Sequence, residues 1–355
     1  MNRLRALGLF LALACCGLPA AAAQDATPNP PGLSLEPGVT VTGMFGPDAQ
    51  SLIYSFSAQA GDIVSMTMRS DQIDSYLRLD DARGNALLSD DDSANDLDAR
   101  IGPLRLPEDG VYLVVASTFD YVVSDGFDTA LGDFTLTLMD HEPDEISYPS
   151  TVKATLEDGE TLHLYAFEAT RGDVLSLALN ADAFNPLLAL TDTHNISKPP
   201  LRDDDSGPDK NAHIVPYIVP ESGPYLLTAV SADEATGGDY VLSIAPLESE
   251  RIAYGERVDV TLARDETPAA VFSFEAAAGD VVDIRVESPT ELDTTLTLIG
   301  PDGAQVADND DASGRDPALI ARALSEAGTY TFVVQPFTRG FGGDITVELA
   351  QSTGE

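Results

Sequence analysis

Three stretches decide the fold: YSFSAQAGDIVSMTM at Tyr54–Met68, YAFEATRGDVLSLAL at Tyr165–Leu179 and FSFEAAAGDVVDIRV at Phe272–Val286. Each is an aromatic strand running through a Gly-Asp turn into a second strand. The turn glycines Gly61, Gly172 and Gly279 stand 111 and 107 residues apart. A period that long is a whole domain rather than a solenoid unit. After each turn the residues alternate. Val64, Met66 and Met68 answer to Leu175, Leu177 and Leu179, then to Val282, Ile284 and Val286, with Ser65, Thr67, Ser176, Asp283 and Arg285 between them. Period-two alternation buries one face of a sheet and wets the other.

The rest of each copy follows in the same order. Leu77 and Leu79 match Leu188 and Leu190, then Leu296 and Leu298. An Asp-rich turn comes next, then a Gly-x-Tyr strand opening (Gly110, Gly223, Gly328) and a closing Gly-Asp strand (Gly132, Gly238, Gly343). Short strands punctuated by Gly, Pro and Asp, without a long 3.6-residue period, predict an all-β chain of three tandem β-sandwiches. The expected division is repeat 1 at 34–141, repeat 2 at 142–248 and repeat 3 at 249–350, with a tail at 351–355. About 100 residues per copy suffice to bury a core without cross-links.

The first residues read as an export signal. Arg3 and Arg5 precede the apolar run Ala6–Ala14, and Ala21-Ala22-Ala23 offers small residues for cleavage before Gln24. This places a signal peptide at 1–23 and a Pro-rich linker at 24–33, in a secreted or periplasmic protein. Leu13-Ala14-Cys15-Cys16 supports a second reading, a lipoprotein anchored at the cell envelope through Cys16. The run is too short to span a bilayer, and no transmembrane helix is expected elsewhere. Cys15 and Cys16 are the chain's two cysteines, so cleavage after Ala23 leaves none for disulfides, thiolate metal sites or nucleophilic catalysis.

With 19 basic and 59 acidic residues the net charge is −40, and loss of Arg3 and Arg5 makes it more negative by two. That field opposes nucleic acid and anionic lipid, and attracts divalent cations.

The ordered set of motifs resembles the bacterial pre-peptidase C-terminal domain: aromatic-x-Phe, Gly-Asp, Leu-x-Leu, Asp-Asp, Gly-x-Tyr and Gly-Asp. The resemblance spans nearly all of each copy. The third fits best. The second departs, with Asn185-Pro186 where the others have Asp74-Ser75 and Asp293-Thr294, and with a longer turn from Thr193 to Leu201. It implies a jelly-roll-like sandwich serving as a non-catalytic accessory module, its partner an exported enzyme, a peptide or a polysaccharide. The segment before Ser34 is too short for an enzyme, so a separate chain is the expected partner. A structural envelope spacer and an enzyme of unrecognised type are the other readings; oligomeric state is not legible.

The acidic turns are the first site candidates. They read Asp90-Asp91-Asp92-Ser93, Asp203-Asp204-Asp205-Ser206 and Asn309-Asp310-Asp311-Ala312. Calcium takes six to eight oxygens and tolerates irregular loops. Asp91 and Asp92, Asp204 and Asp205, and Asp310 and Asp311, with Asp74 and Asp293 upstream, are therefore candidate calcium ligands, and members of the resembling family bind calcium. The alternative is that they are Asx-capped turns at a sandwich edge. Asp205-Ser206-Gly207 looks like an aspartic-protease half-site, but the aligned Asp92-Ser93-Ala94 and Asp311-Ala312-Ser313 mark it as a repeat turn. His141 is placed in a linker, and His163, His194 and His213 occur in repeat 2 alone. No catalytic residues are expected. Phe119, Tyr121 and Phe127 in repeat 1, and Phe337, Arg339 and Phe341 in repeat 3, form an aromatic connection that grips a ligand, folds back on the rim or packs between neighbouring domains.

Overall fold

A computed structural model describes residues 32–94, 97–126, 130–157, 162–232 and 236–352. The expected signal peptide at 1–23 with Cys15 and Cys16, residues 24–31 of the expected linker, Phe127 and residues 353–355 lie outside the described residues.

The first module contains β1 (Leu33–Ser34), β2 (Thr40–Phe45), β3 (Ser51–Ala58), β4 (Ile63–Arg69), β5 (Ser75–Asp80), β6 (Ala86–Asp90), β7 (Ala99–Arg105), β8 (Gly110–Thr118), the short helix α1 (Phe119–Val123) and β9 (Gly132–His141). They form a five-stranded sheet, ordered β1-β3-β8-β5-β6, and a four-stranded sheet, ordered β2-β9-β4-β7. Residues Asp144–Pro246 and Glu250–Gln351 repeat both sheets with the same strand order. The all-β, triple-sandwich reading is what the chain adopts. Leu33, placed in the linker, pairs in parallel with Tyr54, and Gln351, placed in the tail, pairs with Val282. His141 is not in a linker but ends β9 opposite Ile63.

Alternation explains the cores. Met66, Met68, Leu77 and Leu79 are fully buried between the sheets, as are Leu175, Leu177, Leu179 and Leu188, and Val282, Ile284, Leu296 and Leu298. The first and third cores add stacked rings: Phe45 on Phe134 at 4.7 Å, Phe56 on Tyr112 at 5.6 Å and Phe272 on Phe332 at 5.2 Å.

The repeated polar motifs are turn chemistry. Gly61, Gly172 and Gly279 take φ of 95°, 87° and 91°, a region closed to most side chains. The aspartate after each reaches back three residues: Asp62, Asp173 and Asp280 accept from the N–H of Gln59, Thr170 and Ala277 at 2.7, 3.0 and 2.9 Å. In the Gly-x-Tyr corner, Tyr112, Tyr225 and Tyr330 donate their hydroxyls to the carbonyls of Glu108, Glu221 and Glu326 at 2.9, 2.8 and 3.1 Å. A buried phenol thus keeps a partner while its ring fills the core.

The modules stack head to tail. Ile63, at the start of β4, packs on Leu164, Ala166 and Leu226, on the outer face of the second module's five-stranded sheet. Val174, at Ile63's register, packs likewise on Val271, Ile299 and Val333 of the third module. On the corresponding face of the first module, where no other described module packs, an ion pair replaces the apolar residues. On the first module Arg78 grips Asp80 at 2.7 and 2.9 Å, at the register of Ala189 and Thr191.

Candidate functional site

The first residue of each acidic turn is a cap. Asp90 Oδ1 accepts from the N–H groups of Ser93 (3.0 Å) and Arg100 (2.8 Å). Asp203 Oδ1 accepts from those of Ser206 (3.1 Å) and His213 (2.7 Å). Asn309 Oδ1 accepts from Ala318 at 2.9 Å, so the amide oxygen keeps the bond to the strand beyond the turn. The cap joins the turn to the strand beyond it, which is why this position recurs. Asp203→Ala leaves two backbone donors unmet and is expected to cost about 1–3 kcal/mol, whereas the exposed Asp204→Ala next to it changes little; urea unfolding of both variants checks the contrast.

The second and third acidic positions are arranged differently from copy to copy. In the first module burial pushes the Asp74 carboxyl above its usual range, and the charges of Asp120, Asp91 and Asp92 push it further. Burial raises Asp91 too, followed by the charges of Asp92 and Asp90. Asp120 sits on α1, and the sequence offered no sign of its proximity. In the second module Asn185 holds the register of Asp74, and the carbonyl of Asp205 accepts from Arg264 of the third module. In the third, Asp310 and Asp311 are exposed. The main chain explains the upstream position: the carbonyls of Asp74, Asn185 and Asp293 accept from Phe119 (3.0 Å), Ala232 (2.9 Å) and Phe337 (2.9 Å). Among the described residues no three Asp, Glu, His or Cys side chains converge closely enough to hold a metal ion. The threefold identity of these turns is that of their caps; a mutually repelling carboxylate group belongs to the first module.

The histidines have local partners. His141 and His213 meet the hydroxyls of Ser65 and Ser176 at 2.8 Å, His163 meets Tyr240 at 2.5 Å, and His194 meets Asp192 at 2.9 Å. Burial holds His141 and His213 below the ordinary imidazole value, against the charges of Asp140 and of Asp203 and Asp265 respectively. The unfolded chain therefore takes up protons first as pH falls through about 6.5, and the folded state loses stability down to the lowered value. His213→Gln is expected to flatten the decline in melting temperature between neutral pH and about pH 5 relative to the parent.

The aromatic connections differ as well. In the first module Phe119 and Tyr121 are helical in α1, started by Thr118, whose Oγ1 accepts from the Tyr121 N–H at 3.3 Å. In the third, Phe337 and Phe341 are each 60 % exposed, and Phe341 lies with Arg339 beside the junction to the second module. For Arg339 and Phe341 the reading of a connection packed between neighbouring domains thus matches their place, but the sequence did not show the junction between the first and second modules. The signal for it was the long Thr193–Leu201 turn, whose Ile196 packs against the first module's core and whose Pro199 and Pro200 line a cleft there.

Residues 268–336 match the family model of the bacterial pre-peptidase C-terminal domain. The third module is a domain of that type. No curated protein matches the chain. Among solved structures the chain is similar to the pre-peptidase C-terminal domain of a collagenase from Bacillus anthracis, at 19 % identity and a TM-score of 0.26, over 29 % of this chain and 96 % of that domain. It is also similar to a protein of Sulfolobus Turreted Icosahedral Virus (9 %, TM-score 0.19, 86 % of this chain and 84 % of that one). A third likeness is to tripeptidyl peptidase 2 (10 %, TM-score 0.22, 91 % of this chain and 33 % of that one).

Proposed function

We propose that this chain is an exported, non-catalytic accessory protein that acts by binding, its three sandwiches forming a head-to-tail array. The observation that carries the reading is the pre-peptidase C-terminal match of the third module, within an architecture that the other two modules repeat strand for strand. Supporting it, Asp62, Asp173 and Asp280 of the Gly-Asp turns and Tyr112, Tyr225 and Tyr330 of the Gly-x-Tyr corners are engaged with nearby backbone. The partner is an exported enzyme, a peptide or a polysaccharide. Purified protein incubated with panels of peptide, ester and glycoside substrates is expected to turn over none. Turnover that a point substitution abolishes would overturn the reading.

The apolar packing at both junctions favours a spacer role beside the binding one. Mass spectrometry of the mature N-terminus separates a secreted form beginning at Gln24 from an envelope form acylated at Cys16.

Calcium belongs in this reading at the first module, where a cation would relieve the repulsion among Asp74, Asp91, Asp92 and Asp120. Because Asp74's carboxyl is raised on folding, its ionised form weighs against the folded state at neutral pH, and that penalty fades as pH falls through the raised value. Millimolar calcium is expected to raise the first module's melting temperature over a chelator control. Asp74→Asn should raise it in chelator and remove the calcium response. An unchanged melt with calcium rules the ion out.

A further inference from the structure

The two junctions are built from the same register positions, yet one is filled and the other is open. Between the second and third modules, Arg264 donates from Nε to the carbonyl of Ser206 at 2.7 Å and also reaches the carbonyl of Asp205. With Val215, Arg339 and Phe341 it leaves a space of about 10 Å³. Between the first and second modules, Gly102 stands at the register of Val215, because Ile101 faces Met66 as Ile214 faces Leu177. Two adjoining lobes of about 60 and 210 Å³ remain there, sharing Ser93, Arg100, Gly102, Pro200 and Arg202 in their walls. The Thr193–Leu201 turn builds one side. Lys198 and His194 tie it down through Asp192, at 3.3 and 2.9 Å.

A buried group in this cleft lacks a partner. Thr191 is 6 % exposed, lines the smaller lobe, and its Oγ1 has no hydrogen-bond partner among the described residues. At the filled junction its register is held by Ile299, which packs in the apolar cluster. A buried hydroxyl left unmet costs about 1–3 kcal/mol, so a threonine in place of an isoleucine here is explained by something that bonds to it. The walls say what that is. Two guanidiniums meet at one cleft of a chain with a net charge of −40: Arg202, and Arg100, which is already engaged within the first module, its Nε donating to Thr67 Oγ1 at 3.4 Å. Arg202 makes no ion pair or side-chain hydrogen bond among the described residues. Beyond them the smaller lobe is mixed, with Pro103, Leu162, Leu187 and Ala189 as its apolar part beside Ser93, Thr228 and Ser231, while Asp90, its Oδ1 taken up by backbone N–H groups, borders the larger lobe. Guanidinium forks match carboxylates in charge and geometry, and an apolar floor takes what the carboxylate is attached to.

We infer that the cleft between the first and second modules binds a carboxylate joined to a short apolar group, with Arg202 holding the carboxylate, Arg100 adding positive charge to the wall and Thr191 hydrogen-bonding inside. The chemistry fits a free short organic acid or the C-terminal end of a peptide closing on an apolar residue. The inference deepens the binding-protein reading and rests on it.

The test is titration of the full mature chain, followed by amide NMR, with N-acetyl-leucine, its uncharged amide N-acetyl-leucinamide, and the peptide acetyl-Ala-Ala-Leu. The acid is expected to shift the amides of Gly102, Thr191 and Arg202, and the uncharged amide to bind about tenfold more weakly or worse. Arg202→Ala, at an exposed position, should weaken the acid by at least about tenfold at an unchanged melting temperature. Thr191→Ile, which installs the residue of the filled junction, should block it while preserving the fold. Tighter binding of the peptide than of N-acetyl-leucine assigns a peptide end; equal binding assigns a free acid. Equal binding of acid and amide, shifts confined to other regions, or no shift overturns the site. The substrate panels test the accessory reading separately, so the two failures are distinguishable.

Discussion

Phe332→Ala is expected to destabilise the third module by about 3–5 kcal/mol, the range for removing a buried phenyl ring from a packed core. Phe332 is wholly buried, stacks on Phe272 at 5.2 Å and meets Phe274 at 6.1 Å. The third module contains no cysteine, so no disulfide compensates for the cavity. Calorimetry should show the third module's transition moving to low temperature or vanishing. The first module, which makes no packed contact with that core, should melt as before. A variant melting within a degree or two of the parent would mean that the core collapses around the gap, contrary to the close packing of its rings.

Gly303→Val is expected to undock the third module from the second. Gly303 has φ of 77°, where an L-residue costs about 1–2 kcal/mol. A Cβ there would also collide with the main-chain carbonyl of Arg171. Conversely, a Cβ on Gly172 would lie 2.5 Å from Gly303 Cα, so the two turns meet backbone to backbone. Overpacking at such a contact adds about 1–3 kcal/mol, and the module can escape it by separating. The nearby Arg171–Asp302 pair, at 4.0 Å and exposed, contributes little against this. Gly84 is the internal control. It holds the same place in the first module with φ of 82°, but a Cβ there meets open space. Gly84→Val should therefore show only the backbone penalty. Small-angle scattering should report a more extended, flexible chain for Gly303→Val and an unchanged profile for Gly84→Val. Identical profiles for the two would refute the backbone contact.

Much of each sandwich is readable residue by residue, because the signals are local. Met66 and Met68, or Leu296 and Leu298, are inward-facing by alternation alone, and three copies of the same alternation leave little room for another register. The Gly-Asp turn needs only a glycine with positive φ and an aspartate that caps the turn it stands in. The candidate site was less legible. Three Asp-rich turns at one register suggested three equivalent ligand sets. The recurring element turned out to be Asp90, Asp203 and Asn309 holding N–H groups of a strand about ten residues further on. Whether an aspartate faces a backbone amide or another carboxylate depends on where the partner strand runs. That is why Asp120, 46 residues after Asp74, was overlooked as its neighbour.

The sequence alone established a triplicated all-β sandwich, since turn chemistry and two-residue periodicity act within a few residues. Only the tertiary structure decided how the copies meet and which junction stays open. The long Thr193–Leu201 turn reads in sequence as drift in the second copy. In space it reaches the first module through Ile196 and walls the cleft with its prolines. Gly102 against Val215, and Thr191 against Ile299, look like ordinary variation between repeats. They separate an open cleft from a filled one because packing between modules depends on the volume and hydrogen bonds of residues far apart in the chain.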